Sequence, residues 1–136
     1  GLVKPYLILK KACLKIGVFG LGVDPNSLIQ NSNDEGSKFL DPYEKANETA
    51  VLLKEKGCDV VICLSHLGMY SSKKYPNSDT ELVKRTRNID LILGGHSHTL
   101  LEEPAIIQNL DGKDVYVSQM GKSGIYVGRF DLKFAK

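Results

Sequence analysis

Apolar and polar positions change rhythm several times along the chain. Residues 5 to 10 (PYLILK) and 14 to 22 (LKIGVFGLG) read as two strands joined by a short basic turn at Lys10 to Ala12. The second run is nearly continuous in apolar residues, which predicts burial on both faces. A polar segment, VDPNSLIQNSNDEGSKFL, follows without a clear period; it is long for a connection in a compact domain and reads as a binding loop or an adornment. Helix signals come next. Asp41 can cap, Pro42 suits the first helical position, Glu44 completes a capping box, and Gly57 sits where a left-handed carboxyl cap is wanted. Between them Tyr43, Ala46, Ala50, Val51 and Leu53 form an apolar stripe. Residues 59 to 64 (DVVICL) predict another buried strand, so strand, loop, helix and strand make a crossover unit with parallel neighbours.

The unit recurs once. Ser78 with Glu81 forms a second capping box, ELVKRTRNI carries a shorter helix, and DLILGG is a third buried strand. After His98 the rhythm shifts to alternation. EEPAIIQNL, a DG turn at Asp111 and Gly112, KDVYVSQMG and GIYVGRFDLKF predict two or three antiparallel strands joined by tight turns. The pattern as a whole predicts an α/β layered domain with a mixed sheet and no internal repeat, coiled coil or low-complexity segment.

Composition narrows the function classes. With 136 residues, 42% hydrophobic and 25% charged, the chain has the make-up of one globular domain, and its formal charge of +2 argues against nucleic acid or an anionic membrane as partner. No apolar run approaches the roughly 20 residues of a membrane helix. The opening GLVKPYLILKK lacks the hydrophobic region and cleavage site of a signal peptide, so export to the periplasm or beyond would require a signal upstream of Gly1. Cys13, Cys58 and Cys63 lie in or beside strands without metal-type spacing and read as small buried apolar residues, with a disulfide open only in an exported protein.

The chemistry concentrates in three histidines, His66, His96 and His98, the only ones in the chain. Each follows an apolar run, in DVVICLSHLG and LILGGHSHTL, and so falls at the carboxyl end of a predicted parallel strand, where ligands collect in open α/β sheets. Adjacent strands would bring the two turns within side-chain reach. Imidazole is a good ligand for zinc, manganese or iron. Gly94, Gly95 and Gly68 allow close approach there. Taken singly, each histidine is explained as a polar residue leaving a strand; taken together, they favour a shared site. Three imidazoles could fill a catalytic zinc site with an open position for water. No carboxylate lies in either turn, however, and Asp24, Glu102 and Glu103 are remote, so the site looks incomplete.

The order CLSHLG, helix, DLILGGHSHT, then VYVSQMGKSGIYVGRFDL resembles the second half of the calcineurin-like metallophosphoesterases, in particular the branch of 5'-nucleotidases and 2',3'-cyclic phosphodiesterases. The resemblance covers nearly the whole chain, and GGHSHT is its most specific element. It implies half of a four-layer αββα sandwich and hydrolysis of a phosphate ester, with a nucleotide or cyclic nucleotide as substrate. It further implies two divalent ions (zinc, manganese or iron), with His66 and His96 on the second metal and His98 on the first. The family's Asp-x-His, Gly-Asp-x-x-Asp and Gly-Asn-His motifs, which supply the bridging aspartate, the asparagine ligand and the catalytic histidine, are absent from these 136 residues. Residues 1 to 136 are therefore expected to be the carboxyl-terminal half of one domain, inactive alone. Pairing with the absent amino-terminal half, or self-association, is expected to cover apolar surface. Gly121, Lys122 and Gly124 resemble the family's Gln-x-Gly-Lys-x-Gly segment at the rim of the site, although a tight turn accounts for the glycines equally simply.

Other readings are weaker. GVFGLG inverts the spacing of a dinucleotide-binding loop and precedes a polar loop, while MGKSG lacks the first glycine of a P-loop. Cys63, three residues before His66, invites a thiol nucleophile, but a thiol inside a buried strand is inert. The rival of a different class is a non-catalytic metal-binding or assembly module of the same fold.

Overall fold

The computed structural model describes residues 3–25 and 38–134. Six strands, β1 (Tyr6–Lys11), β2 (Leu14–Leu21), β3 (Val60–Ser65), β4 (Leu91–Gly94), β5 (Ala105–Gln108) and β6 (Asp114–Gln119), form one sheet in the order β1-β2-β3-β4-β6-β5. Strands β2, β3, β4 and β6 are parallel, and the outer strands β1 and β5 are antiparallel to their neighbours. The expected mixed α/β sheet is present. Most of the long polar segment expected as a loop, residues 26–37, lies outside the described residues.

Helix α1 (Pro42–Glu55) begins and ends as its sequence dictates. Asp41 accepts from the backbone N–H groups of Tyr43 (2.8 Å) and Glu44 (3.1 Å), which have no helical partner of their own. At the other end Gly57, at φ 78°, turns the chain so that its N–H reaches Lys54 O and that of Cys58 reaches Leu53 O. Helix α2 (Asp79–Arg85) is capped by Ser78, whose Oγ accepts from Glu81 N. It stops four residues short of the predicted ELVKRTRNI, because Thr86 adopts an extended backbone and turns its Oγ1 onto Leu82 O.

Both crossovers, β2-α1-β3 and β3-α2-β4, advance in the same direction along the sheet. Right-handed connections then place both helices on one face. Under them Phe19, Cys63, Ile92 and Val117 align across four strands and are buried with Ala46, Ala50, Leu53 and Leu82. The opposite face carries an apolar row, Leu7, Val18, Ile62, Leu91, Tyr116 and Ile106, continued by Leu64 and Leu93. No helix covers it. Leu64 (48%), Tyr116 (41%) and Ile106 (58%) remain exposed on it while Val60 and Leu91 are buried, and on β2 Ile16 and Val18 are only half-buried, so the burial of β2 on both faces expected from its continuous apolar run is incomplete here.

Three further expectations are corrected. Val51 is exposed rather than part of the α1 stripe, because one step on from Ala50 turns it about 100° away from the sheet. Cys13 is exposed, since it sits in the hairpin turn between the paired ends Lys11 and Leu14 rather than in a strand. The predicted strand within GIYVGRFDLKF is not formed among the described residues. β6 already pairs on both sides, leaving this segment no adjacent edge, and Phe130 and Leu132 instead border a cavity with Ile62, Leu91 and Leu93 on the bare face. No described helix is long and apolar enough to cross a membrane.

Candidate functional site

The carboxyl ends of β3 and β4 lie side by side, because Ile62, Cys63 and Leu64 pair in register with Leu91, Ile92 and Leu93. Ser65-His66 leaves the first strand and Gly95-His96 leaves the second. The rings of His66 and His96 consequently meet edge to face, with centroids 5.4 Å apart. Two histidines bound to one zinc at the usual 2.0–2.1 Å have ring centres at most about 6 Å apart, and the spacing of this pair falls within that limit. The glycines of the two turns make the approach feasible. A Cβ on Gly95 would sit 3.0 Å from His66 Nδ1, and one on Gly68, itself at φ 94°, would press on His96 and Ser97 at 3.4–3.5 Å.

His96 and His98 both hold left-handed backbone, at φ 75° and 56°. Non-glycine residues adopt that region sparingly, and where they do, local strain of about 1–3 kcal/mol concentrates at functional turns. His98 is exposed and has no ring partner among the described contacts. Burial lowers the His96 pKa from its ordinary value, and the neighbouring His66, His98 and Lys74 lower it further, a direction that favours the neutral imidazole. Neutral imidazole is the form that binds metal.

The donor chemistry suits a borderline divalent cation but does not by itself complete a site. Among the described residues no group of three or more His, Cys, Asp or Glu side chains is arranged to hold an ion. The structure thus brings His66 and His96 together and places His98 on the same turn as His96. Cys63 is enclosed, and burial first, then the nearby Asp79 carboxylate, raise its pKa, so it is no nucleophile.

Several residues that shape the pocket went unnoticed in the sequence. The Tyr75 ring stands 4.5 Å from that of His96, edge to face, and a cleft of about 380 Å³ lined by Tyr70, Ser72, Tyr75, His96 and Ser97 opens beside them. Gln119, at the end of β6, spends its whole amide on the GGHSHT turn. Its Nε2 donates to Gly95 O (2.8 Å), and its Oε1 accepts from Thr99 N (2.6 Å) and Ser97 Oγ (2.9 Å). A signal for Gln119 was present: it shares the inward parity of Val115 and Val117, an unexpected place for an amide. Gly121 and Gly124, at φ 66° and 67°, form the tight turn after it.

Comparison with known proteins is consistent with this geometry. The calcineurin-like phosphoesterase family pattern matches residues 7–100. The trifunctional nucleotide phosphoesterase protein YfkN of Bacillus subtilis is 32% identical over 97% of this chain, and a probable 5'-nucleotidase of Treponema pallidum is 27% identical over 98%. The crystal structure of a 5'-nucleotidase precursor from Thermus thermophilus superposes with a TM-score of 0.71 and 32% identity over 88% of the chain. The chain spans 8% of YfkN and 24% of each of the other two. On the match of the family pattern across most of the strands and both histidine turns, the chain belongs to the calcineurin-like phosphoesterase family, a metal-dependent one.

Proposed function

We propose that this chain contributes the histidine side of a dinuclear metal pocket in a phosphoester hydrolase that acts on nucleotides. The 5.4 Å contact of His66 with His96, across two turns separated by a whole crossover, is the observation that carries the proposal. His66 and His96 would hold one divalent ion and His98 a second; zinc, manganese and iron all suit imidazole. Bound ions of this kind supply Lewis-acid stabilisation of charge on phosphoryl oxygens. The surroundings of His96 favour its neutral, ligating form, Tyr75 braces its ring, and the cleft beside them offers room for a substrate group. Nucleotides are favoured as substrates because the relatives include a nucleotide phosphoesterase and a probable 5'-nucleotidase.

Residues 1–136 are read as the carboxyl-terminal half of one metallophosphoesterase domain. The lack of a complete ligand group among the described residues and the bare apolar face of the sheet both support that reading. The acidic ligands and a second sheet would come from an amino-terminal half, and in its absence a second copy would cover the face. The same lack of ligands also favours a second reading, a non-catalytic metal-binding or assembly module. Turnover separates the two. The 136-residue chain is expected to leave bis(p-nitrophenyl) phosphate intact in zinc or manganese, and a longer polypeptide containing the upstream segment is expected to hydrolyse it. A longer polypeptide that binds metal and remains inert would favour the non-catalytic module.

A further inference from the structure

Beneath the two histidine turns lies a buried polar cluster that the proposed metal chemistry does not use. Asp79, the first residue of α2, is completely enclosed. Its Oδ1 accepts a hydrogen bond from the hydroxyl of Ser65, the residue before His66, and the same hydroxyl oxygen accepts from Leu67 N at 3.2 Å, so the contact grips both flanks of His66. The Asp79 N–H donates to Gly68 O at 2.7 Å, tying the start of α2 to the same turn. The other carboxylate oxygen, Oδ2, has no hydrogen-bond partner among the described residues. It rests against Gly94, the last residue of β4, so closely that no Cβ could be accommodated there. Gln119 stands over the same glycine, its Nε2 3.2 Å from that Cβ position, and fixes the His96 turn from the other side. Ser97 Oγ closes the circuit by accepting from Met69 N at 3.0 Å.

A buried carboxylate with an unpaired oxygen is unfavourable for folding, and an apolar side chain would fill the same space at lower cost. What Asp79 does have is a position in contact with the roots of both histidine turns. We propose that Asp79 is a positioning residue for the histidine pocket, clamping Ser65 and seating against Gly94 so that the His66 turn and the His96/His98 turn are held in contact. This rests on His66 and His96 being the metal-holding residues. Groups that orient ligands in this way alter metal affinity without touching the ion.

The test compares the parent chain with Ser65→Ala, Asp79→Ala and Asp79→Asn. Two readouts are used: the ring-to-ring nuclear Overhauser contact of His66 with His96 in the metal-free chain, and Co(II) affinity from its absorption spectrum. Backbone amide shifts of α1 report the integrity of the fold. Ser65→Ala and Asp79→Ala are expected to lose the ring contact and to weaken Co(II) binding by about 10- to 100-fold. Asp79→Asn, whose amide oxygen still accepts from Ser65, is expected to restore both. Unchanged ring contact and affinity in the alanine variants would overturn the proposal, as would an asparagine variant as impaired as the alanine one. Should Asp79→Ala not fold, Ser65→Ala, which removes a single oxygen, decides. A parent chain that binds no Co(II) would count against the metal reading instead, and the ring contact alone would then decide the role of Asp79.

Discussion

The phenol of Tyr43, on α1, accepts a hydrogen bond from the backbone N–H of Ser78 at 3.1 Å, directly before α2 begins. Ser78 is fully buried, so this N–H has no access to water and depends on that one oxygen. Tyr43→Phe keeps the ring, and the Arg85 guanidinium stacked 5.1 Å above it, but orphans the donor. The variant is expected to lose about 1–3 kcal/mol in urea denaturation with an unchanged m value. A loss no larger than that of an exposed tyrosine would show that water reaches Ser78.

Asp79 makes stability depend on pH in an unusual direction. Burial pushes its carboxyl up to about 6, with the hydrogen bond from Ser65 opposing. In the unfolded chain it titrates near its ordinary value of about 3.9, so between these values the folded state binds the extra proton. The contribution is therefore fully present below about pH 4 and lost as pH rises through about 6. In the metal-free protein Asp79→Asn should be more stable than the parent at pH 7.5, by an amount of order 2–3 kcal/mol that shrinks toward pH 4. Thermal unfolding across that range would show it; a difference independent of pH would contradict it.

Thiol reactivity should separate the three cysteines cleanly. Cys13 is exposed in the β1–β2 turn, while Cys58 and Cys63 are buried. One equivalent of an aromatic disulfide reagent is expected to react at once, and two more only in denaturant. Fast reaction of a second thiol in the native protein would mean that the helix layer opens readily.

The bare sheet face makes its own prediction. Leu64 and Leu93 pair across β3 and β4 and are exposed together. Contiguous apolar surface of this kind marks an interface. The isolated chain is expected to sediment as a dimer or larger at micromolar concentration, and Leu64→Glu is expected to shift it toward monomer. A monodisperse parent monomer would leave the uncovered face without a partner.

Much of this fold could be read directly from the chain, because its local signals agree with its tertiary ones. Asp41, Pro42 and Gly57 bracket α1 as caps of known geometry, and the runs DVVICL and DLILGG became the parallel strands β3 and β4. The glycines of GVFGLG show where local reading ends. Gly17 is small because a Cβ there would come within 2.9 Å of the Leu53 methyls, a tertiary fact that no nearby spacing encodes. The C-terminal alternation gave the antiparallel β5–β6 pair and stopped there for a related reason. GIYVGRFDLKF has strand rhythm, but a strand needs an edge, and β6 has none free. At the site, three histidines at strand ends were visible as a pattern, whereas Asp79 was not. One residue past a helix cap, an aspartate ordinarily faces solvent, and only the packing of α2 against the β3 and β4 turns buries it.

Metal titration is decisive for a cation site shared by His66 and His96. Co(II) added to the chain near pH 7.5 should give visible absorption bands that saturate, with His66→Ala and His96→Ala each abolishing or sharply weakening them and the amide spectrum of the core unchanged. Bands that persist undiminished in both variants, or a parent chain whose histidine ring resonances ignore Co(II) and Zn(II) alike, would contradict the account.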